Sequence, residues 1–141
     1  MTKNKINNSL KKIFILQGPN LNLLKIKTSK ALTIEKLNKH IKKKAQEKNY
    51  QTIIFQTNEE GKALGKLQQY RKKISAIIIY PGPWGKTAYS ILDLLHILHI
   101  PYITICDVGE RGIFKGTNFF EGSDLLDMTD KAFDLLNKEI I

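Results

Sequence analysis

Four runs of this chain carry apolar side chains almost without interruption: "IFILQ" (13–17), "QTIIFQ" (51–56), "AIIIY" (76–80) and "PYITICD" (101–107). A strand with one solvated face alternates apolar and polar residues, so strands that do not alternate belong to a sheet covered on both sides. The segments between them supply that cover. "LTIEKLNKHIKKKAQEK" (32–48) sets Ile34, Leu37, Ile41 and Ala45 on one helical stripe, with Thr33 as N-cap. "NEEGKALGKLQQYRKK" (58–73) reads as a second helix loosened by Gly61 and Gly65, and "KTAYSILDLLHILH" (86–99) as a third. A last helix runs from about Ser123 to Glu139.

Strands alternating with helices make parallel crossovers, and the expected fold is α/β: a flavodoxin-like three-layer α/β/α arrangement around a parallel sheet. Ligands of such sheets bind beyond the carboxyl ends of the strands. Four loops then frame the candidate site: 17–32, 56–60, 80–87 and 106–117.

At 141 residues and 42% hydrophobic content, one core suffices, burying roughly two-thirds of the extended chain's surface. The expected organisation is a flexible basic lead over residues 1–12 and a single domain over 13–141. Cys106 is the one cysteine, which rules out an internal disulfide, and no 18-residue apolar run occurs. A cytoplasmic protein with no membrane partner is expected. The net charge of +10 invites a nucleic-acid reading, but only Arg71 and Arg111 are arginines, and bidentate recognition of bases and phosphates depends on arginine. The lysines of 36–48 fall on the solvated side of their helix, so no nucleic-acid partner is expected.

The loops carry the candidate chemistry. In "ILQGPNLNLL" (15–24), Gly18 and Pro19 permit a tight turn, and Asn20 offers an amide that both donates and accepts, toward backbone or ligand. Asn58 is placed to cap the second helix, with Glu59 and Glu60 in its first turn. "YPGPWGKTA" (80–88) has the order of a phosphate-binding loop, strand, turn, Gly85-Lys86-Thr87, helix. Its spacing is wrong, because Tyr80 stands where glycine is needed and Pro81 and Pro83 remove N–H donors. A single anion on Lys86 stays open. Cys106 reads as a strand-end nucleophile or a small buried hydrophobe. His96 and His99 lack a third ligand, so no metal site is expected.

Taken in order, "ILQGPNLNLL", "LTIEKL", "FQTNEEGKALGKLQ", "IIIYPGPWGKTAYSILDLL" and "IPYITI" resemble type II 3-dehydroquinate dehydratase, the shikimate-pathway dehydroquinase, over residues 13 to about 115. The resemblance implies a flavodoxin-like fold, trimers assembling into a dodecamer, and no cofactor. It also implies a dehydration that needs a base, an oxyanion partner and an acid. Asn20 matches the family's asparagine that organises the enolate-side water, and Asp93 an acidic residue that reaches a neighbouring subunit's site. Other positions depart from the pattern. The family's lid tyrosine and arginine have no counterpart in "KIKTSKAL" (25–32). Tyr80 and Lys86 stand for the asparagine and histidine of "N-P-G-[AG]-x-x-H-T-S", Cys106 and Thr104 for the histidine and carboxylate of "E-V-H-[LI]-S-N", and Lys115 for the arginine of "E-F-R".

The resemblance therefore implies dehydroquinase activity that is reduced, altered or lost. The alternatives are a silent ligand-binding or structural oligomer, and a phosphate or nucleotide binder through Gly85-Lys86-Thr87. The expected reacting set is Asn20, Tyr80, Lys86 and Cys106, with Tyr80 a substitute base and Lys86 an acid or oxyanion partner. Asn58, Trp84, Thr87, Asp93, Val108, Arg111 and Lys115 complete the contacts to a small anionic cyclic carboxylate.

Overall fold

The computed structural model describes residues 10–24 and 31–141. Its elements in chain order are β1 (Lys12–Gln17), α1 (Ile34–Glu47), β2 (Gln51–Gln56), α2 (Glu60–Tyr70), β3 (Ala76–Tyr80), α3 (Trp84–Thr87), α4 (Tyr89–Leu98), β4 (Tyr102–Cys106), β5 (Asn118–Glu121) and α5 (Leu125–Leu135). A 3-10 turn (Leu21–Leu23) follows β1, and a π-helical turn (Leu136–Ile140) ends α5. The strands form one sheet in the order β2-β1-β3-β4-β5, and each neighbouring pair is parallel.

Successive side chains of a strand point to opposite faces, and this divides the core in two. Ile13, Ile15, Ile78 and Ile103 pack beneath α1 and α5, against Leu37, Ile41, Ala132 and Phe133. Phe14, Leu16, Ile77 and Ile79 pack beneath α2 and α4, against Leu67, Ile91 and Leu95. The α/β/α sandwich expected from unbroken apolar strands is thus the observed one. Thr33 caps α1 as expected, its hydroxyl accepting from Lys36 N–H at 3.2 Å. Leu37, Ile41 and Ala45 are buried while Lys39, Lys42 and Lys43 are exposed; Ile34 is only half-buried.

Other boundaries shift. Lys12 opens β1, one residue before the expected start, and residues 1–9 of the expected lead lie outside the described residues. β2 is apolar but half-buried, because it sits at the sheet edge. Asn58 does not cap α2: the cap position is Glu59, without a side-chain bond. The third helix breaks at Ala88 into α3 and α4. The fifth strand, β5, was not expected; it is four residues long and largely exposed.

Candidate functional site

After β1 the chain crosses to β2 on one side, then returns past β1 to β3 on the other, so strand order reverses between β1 and β3. The loops leaving these strands diverge there and open a crevice. Two neighbouring spaces occupy it. An inner pocket of ≈ 40 Å³ is lined by Pro19, Leu24, Tyr80, Ile105, Cys106 and Leu125 among others. An outer cleft of ≈ 670 Å³ is lined by Asn20, Leu23, Pro83, Lys86, Val108 and Gly109. Gly82 and Glu110 belong to both.

Asn20 occupies the left-handed region (φ 69°), a conformation that asparagine tolerates better than most residues. Its N–H donates to Asn58 Oδ1 at 3.1 Å. The same oxygen accepts from Gln56 Nε2 (3.2 Å), which also donates to the Gly18 carbonyl (3.1 Å). Asn58 therefore holds the first loop in place; its carbonyl oxygen is engaged with protein rather than directed to a ligand. Gly18 N–H donates to the Tyr80 carbonyl at 2.9 Å. A Cβ at Gly18 would lie 2.9 Å from Trp84 Cε3, so glycine is what lets the first and third loops close on each other.

Lys86 is exposed on α3 and faces the outer cleft with Asn20. Its neighbour Gly85 packs against the fourth loop: Ile113 N–H donates to the Gly85 carbonyl at 2.9 Å, and a Cβ at Gly112 would fall 1.7 Å from that oxygen. Gly85 is thus a packing glycine. The N–H groups of Trp84, Gly85 and Lys86 donate to Pro81, Gly82 and Pro83 carbonyls. A phosphate cradle needs those donors turned outward, and the phosphate-loop alternative is set aside on this geometry.

Two of the expected reacting groups are buried. Tyr80 is 2% exposed and its hydroxyl shares a 2.7 Å hydrogen bond with Thr129 Oγ1. Burial raises the phenol well above its ordinary value of 10.0, against an opposing effect of the Thr129 bond and with a smaller contribution from Asp130 in the same direction as burial. A base at neutral pH must lose its proton readily, and this phenol is held neutral. Cys106 is likewise 2% exposed, with its thiol directed at the Phe120 carbonyl. Burial, then Glu121 and Glu110, push the thiol up to about 12, against a smaller opposing effect of Arg111. It is a buried small hydrophobe rather than a nucleophile.

The remaining expected contacts divide. Val108, 74% exposed, joins Asn20 and Lys86 at the outer cleft. Trp84 is buried in the core against Gly18 and lines neither space. Thr87 and Asp93 are exposed on α3 and α4 and line neither space. The Arg111 guanidinium lies 4.2 Å above the Phe119 ring, occupied with that stacking. Lys115 lines a separate cleft at the amino end of β4, beside His96 and His99. Thr104 is fully buried in β4. The expected lid falls mostly on residues 25–30, outside the described residues.

Glu110 was missed as a site residue. It lines both spaces, and its position is set by the tight 107–110 turn, where Glu110 Oε1 accepts from Asp107 N–H (3.2 Å) and Glu121 Oε2 from Gly109 N–H (2.5 Å). Its signal was only the loop sequence "GERG", which fixes no direction. Thr129, the partner of Tyr80, is 49 residues away in sequence and carried no signal. Among the described residues, no group of three His, Cys, Asp or Glu side chains could hold a metal ion. No helix among them is long and apolar enough to cross a membrane.

The family model described as dehydroquinase class II matches residues 11–123. The 3-dehydroquinate dehydratase of Caldicellulosiruptor bescii is 37% identical over 100 residues, which cover 68% of this chain and 69% of that protein. Among solved structures, the type II dehydroquinase from Butyrivibrio crossotus superposes with a TM-score of 0.82 at 26% identity, covering 92% of this chain and 99% of that one. A 3-dehydroquinate dehydratase-like protein from Bifidobacterium longum has a TM-score of 0.72 at 16% identity, covering 91% of this chain and 96% of that one. At that identity it speaks to the fold alone.

Proposed function

This chain belongs to the class II dehydroquinase family, and from that premise we propose that it is a divergent member. In this reading it binds a small anionic cyclic carboxylate at the outer cleft, and its dehydration of 3-dehydroquinate is reduced, altered or lost. The observation that carries the reading is the seating of Tyr80 and Cys106, whose protons burial holds in place. Loss of a general acid or a general base each costs about 10²- to 10⁴-fold, so a site without either loses most of the family's rate. Asn20 and the exposed Lys86 cation remain on the cleft, a pair suited to orienting an anion.

A dehydroquinate turnover assay that follows the conjugated enone of the product tests the chemistry. Melting shifts with a panel of cyclic carboxylates test the binding, because a ligand of the folded state raises stability by mass action. The expected result is little or no turnover with a ligand-dependent shift that Lys86→Ala removes. Turnover within about tenfold of an ordinary dehydroquinase, abolished by Asn20→Ala, overturns the reading of diminished activity.

The same reading makes the protein a homo-oligomer, a trimer or dodecamer. Tyr89, Asp93 and Ile97 recur every fourth residue along α4, and Tyr89 and Ile97 are 63% and 62% exposed. Two large apolar side chains on one helical stripe favour a covered face. Light scattering on the eluted protein measures it; a monomer at micromolar concentration refutes that part.

A further inference from the structure

The inner pocket and the outer cleft share Gly82 and Glu110 in their walls, yet they differ greatly in size: ≈ 40 Å³ against ≈ 670 Å³. Sites for drug-sized organic ligands span roughly 300 Å³ or more, whereas a single water needs about 10–15 Å³. The inner space therefore takes a few waters and no carbocyclic ring. Its walls, including Leu21, Leu24, Ile105 and Leu125, would otherwise suit the carbon face of such a ring, and the phenol of Tyr80 stands among them.

That phenol is fixed at three points. Tyr80 is the last residue of β3, in register with Gln17 of β1, so it projects at the reversal of strand order. Its carbonyl accepts the Gly18 N–H, which sets the backbone. Its hydroxyl meets Thr129 Oγ1, and that oxygen itself donates to the Leu125 carbonyl at 2.7 Å, so the partner is held too. Swinging the ring aside would break a buried hydrogen bond, which leaves unpaired groups in the core.

We infer that Tyr80 is the specificity-determining plug of this site: its ring, seated on Thr129 of α5, closes the inner pocket and confines a cyclic ligand to the outer cleft. The inference rests on the proposed ligand-binding reading of the crevice. One side chain then decides whether a ring enters. A side chain as short as asparagine at this place leaves the ring space open.

The test compares 3-dehydroquinate binding, by calorimetry and by melting shift, in the wild-type chain and in Tyr80→Asn, Tyr80→Phe and Lys86→Ala. Tyr80→Asn should bind at least about tenfold more tightly than wild type. Tyr80→Phe keeps the ring and loses only the Thr129 bond, so it should bind as wild type does. If the Asn variant does not fold, Tyr80→Leu shortens the side chain while keeping the apolar contacts and replaces it in the comparison. A folded small-residue variant that binds no tighter than wild type overturns the plug, as does an equal gain in Tyr80→Phe. The underlying reading fails separately, when the wild-type chain shows no Lys86-dependent binding. A gain in the Asn variant alone then still supports the plug.

Discussion

Cys106 offers the sharpest measurement on this site, because a buried thiol and a reactive one behave oppositely in alkali. The unfolded chain carries the thiol at its ordinary 9.0, and the folded chain holds it at about 12. Between those values the unfolded chain releases the proton while the folded chain keeps it, so rising pH favours unfolding. The stability linked to this group is whole below about pH 9 and drains away toward pH 12. The slope is about 1.4 kcal/mol per pH unit, which gives roughly 2 kcal/mol between pH 8 and pH 10.5. Tyr80, Tyr50 and Tyr102 are also raised by burial and steepen the raw curve in the same direction. The comparison with Cys106→Ala isolates the thiol, since the packing lost with the sulfur is the same at every pH. Urea unfolding of both proteins at steps from pH 8 to 10.5 should show the wild-type chain losing about 2 kcal/mol more than the variant. Parallel curves refute the reasoning. So does alkylation of the native thiol by iodoacetamide at pH 7.5 at the rate of a free cysteine.

Three further outcomes follow from the same contacts. Gly112→Ala puts a Cβ 1.7 Å from the Gly85 carbonyl at a φ of +54°; strain and overpacking together should cost about 2–5 kcal/mol, read as a large fall in the urea midpoint. Asn58→Ala leaves Asn20 N–H and Gln56 Nε2 without their shared acceptor, so thermal melting should show a loss of about 1–3 kcal/mol, and carboxylate binding at the outer cleft should weaken. Thr33→Ala removes the cap that accepts Lys36 N–H, and should cost about 1 kcal/mol by urea unfolding without changing ligand binding.

The parts of the fold that were legible are those where local chemistry and burial agree. β1, β3 and β4 are apolar throughout because both faces meet helices, and α1 shows its stripe and its Thr33 cap directly. β5 was missed because "NFFE" is four residues at an open edge, preceded by a glycine-containing loop, and too short to show a period. Asn58 was legible as a polar residue before a helix, but its acceptor goes to Asn20 across 38 residues, and no local rule ranks those two bonds. The site divided in the same way. Asn20, Lys86 and Val108 meet because their loops leave adjacent strands; Lys115 does not, because the chain reaches it only after running back to the amino end of β4.

By itself the sequence determined the layer architecture, the loops that form the crevice and the family, since each follows from residue patterns read along the chain. Only the tertiary structure decided what the polar side chains of those loops do. The phenol of Tyr80 and the thiol of Cys106 sit at strand ends, where a residue can face either a ligand or the core. Which way each faces depends on helix α5 and strand β5, packed from far along the chain. Desolvation keeps the Tyr80 phenol from acting as a base, and the Thr129 hydroxyl, 49 residues away, seats its ring as a plug.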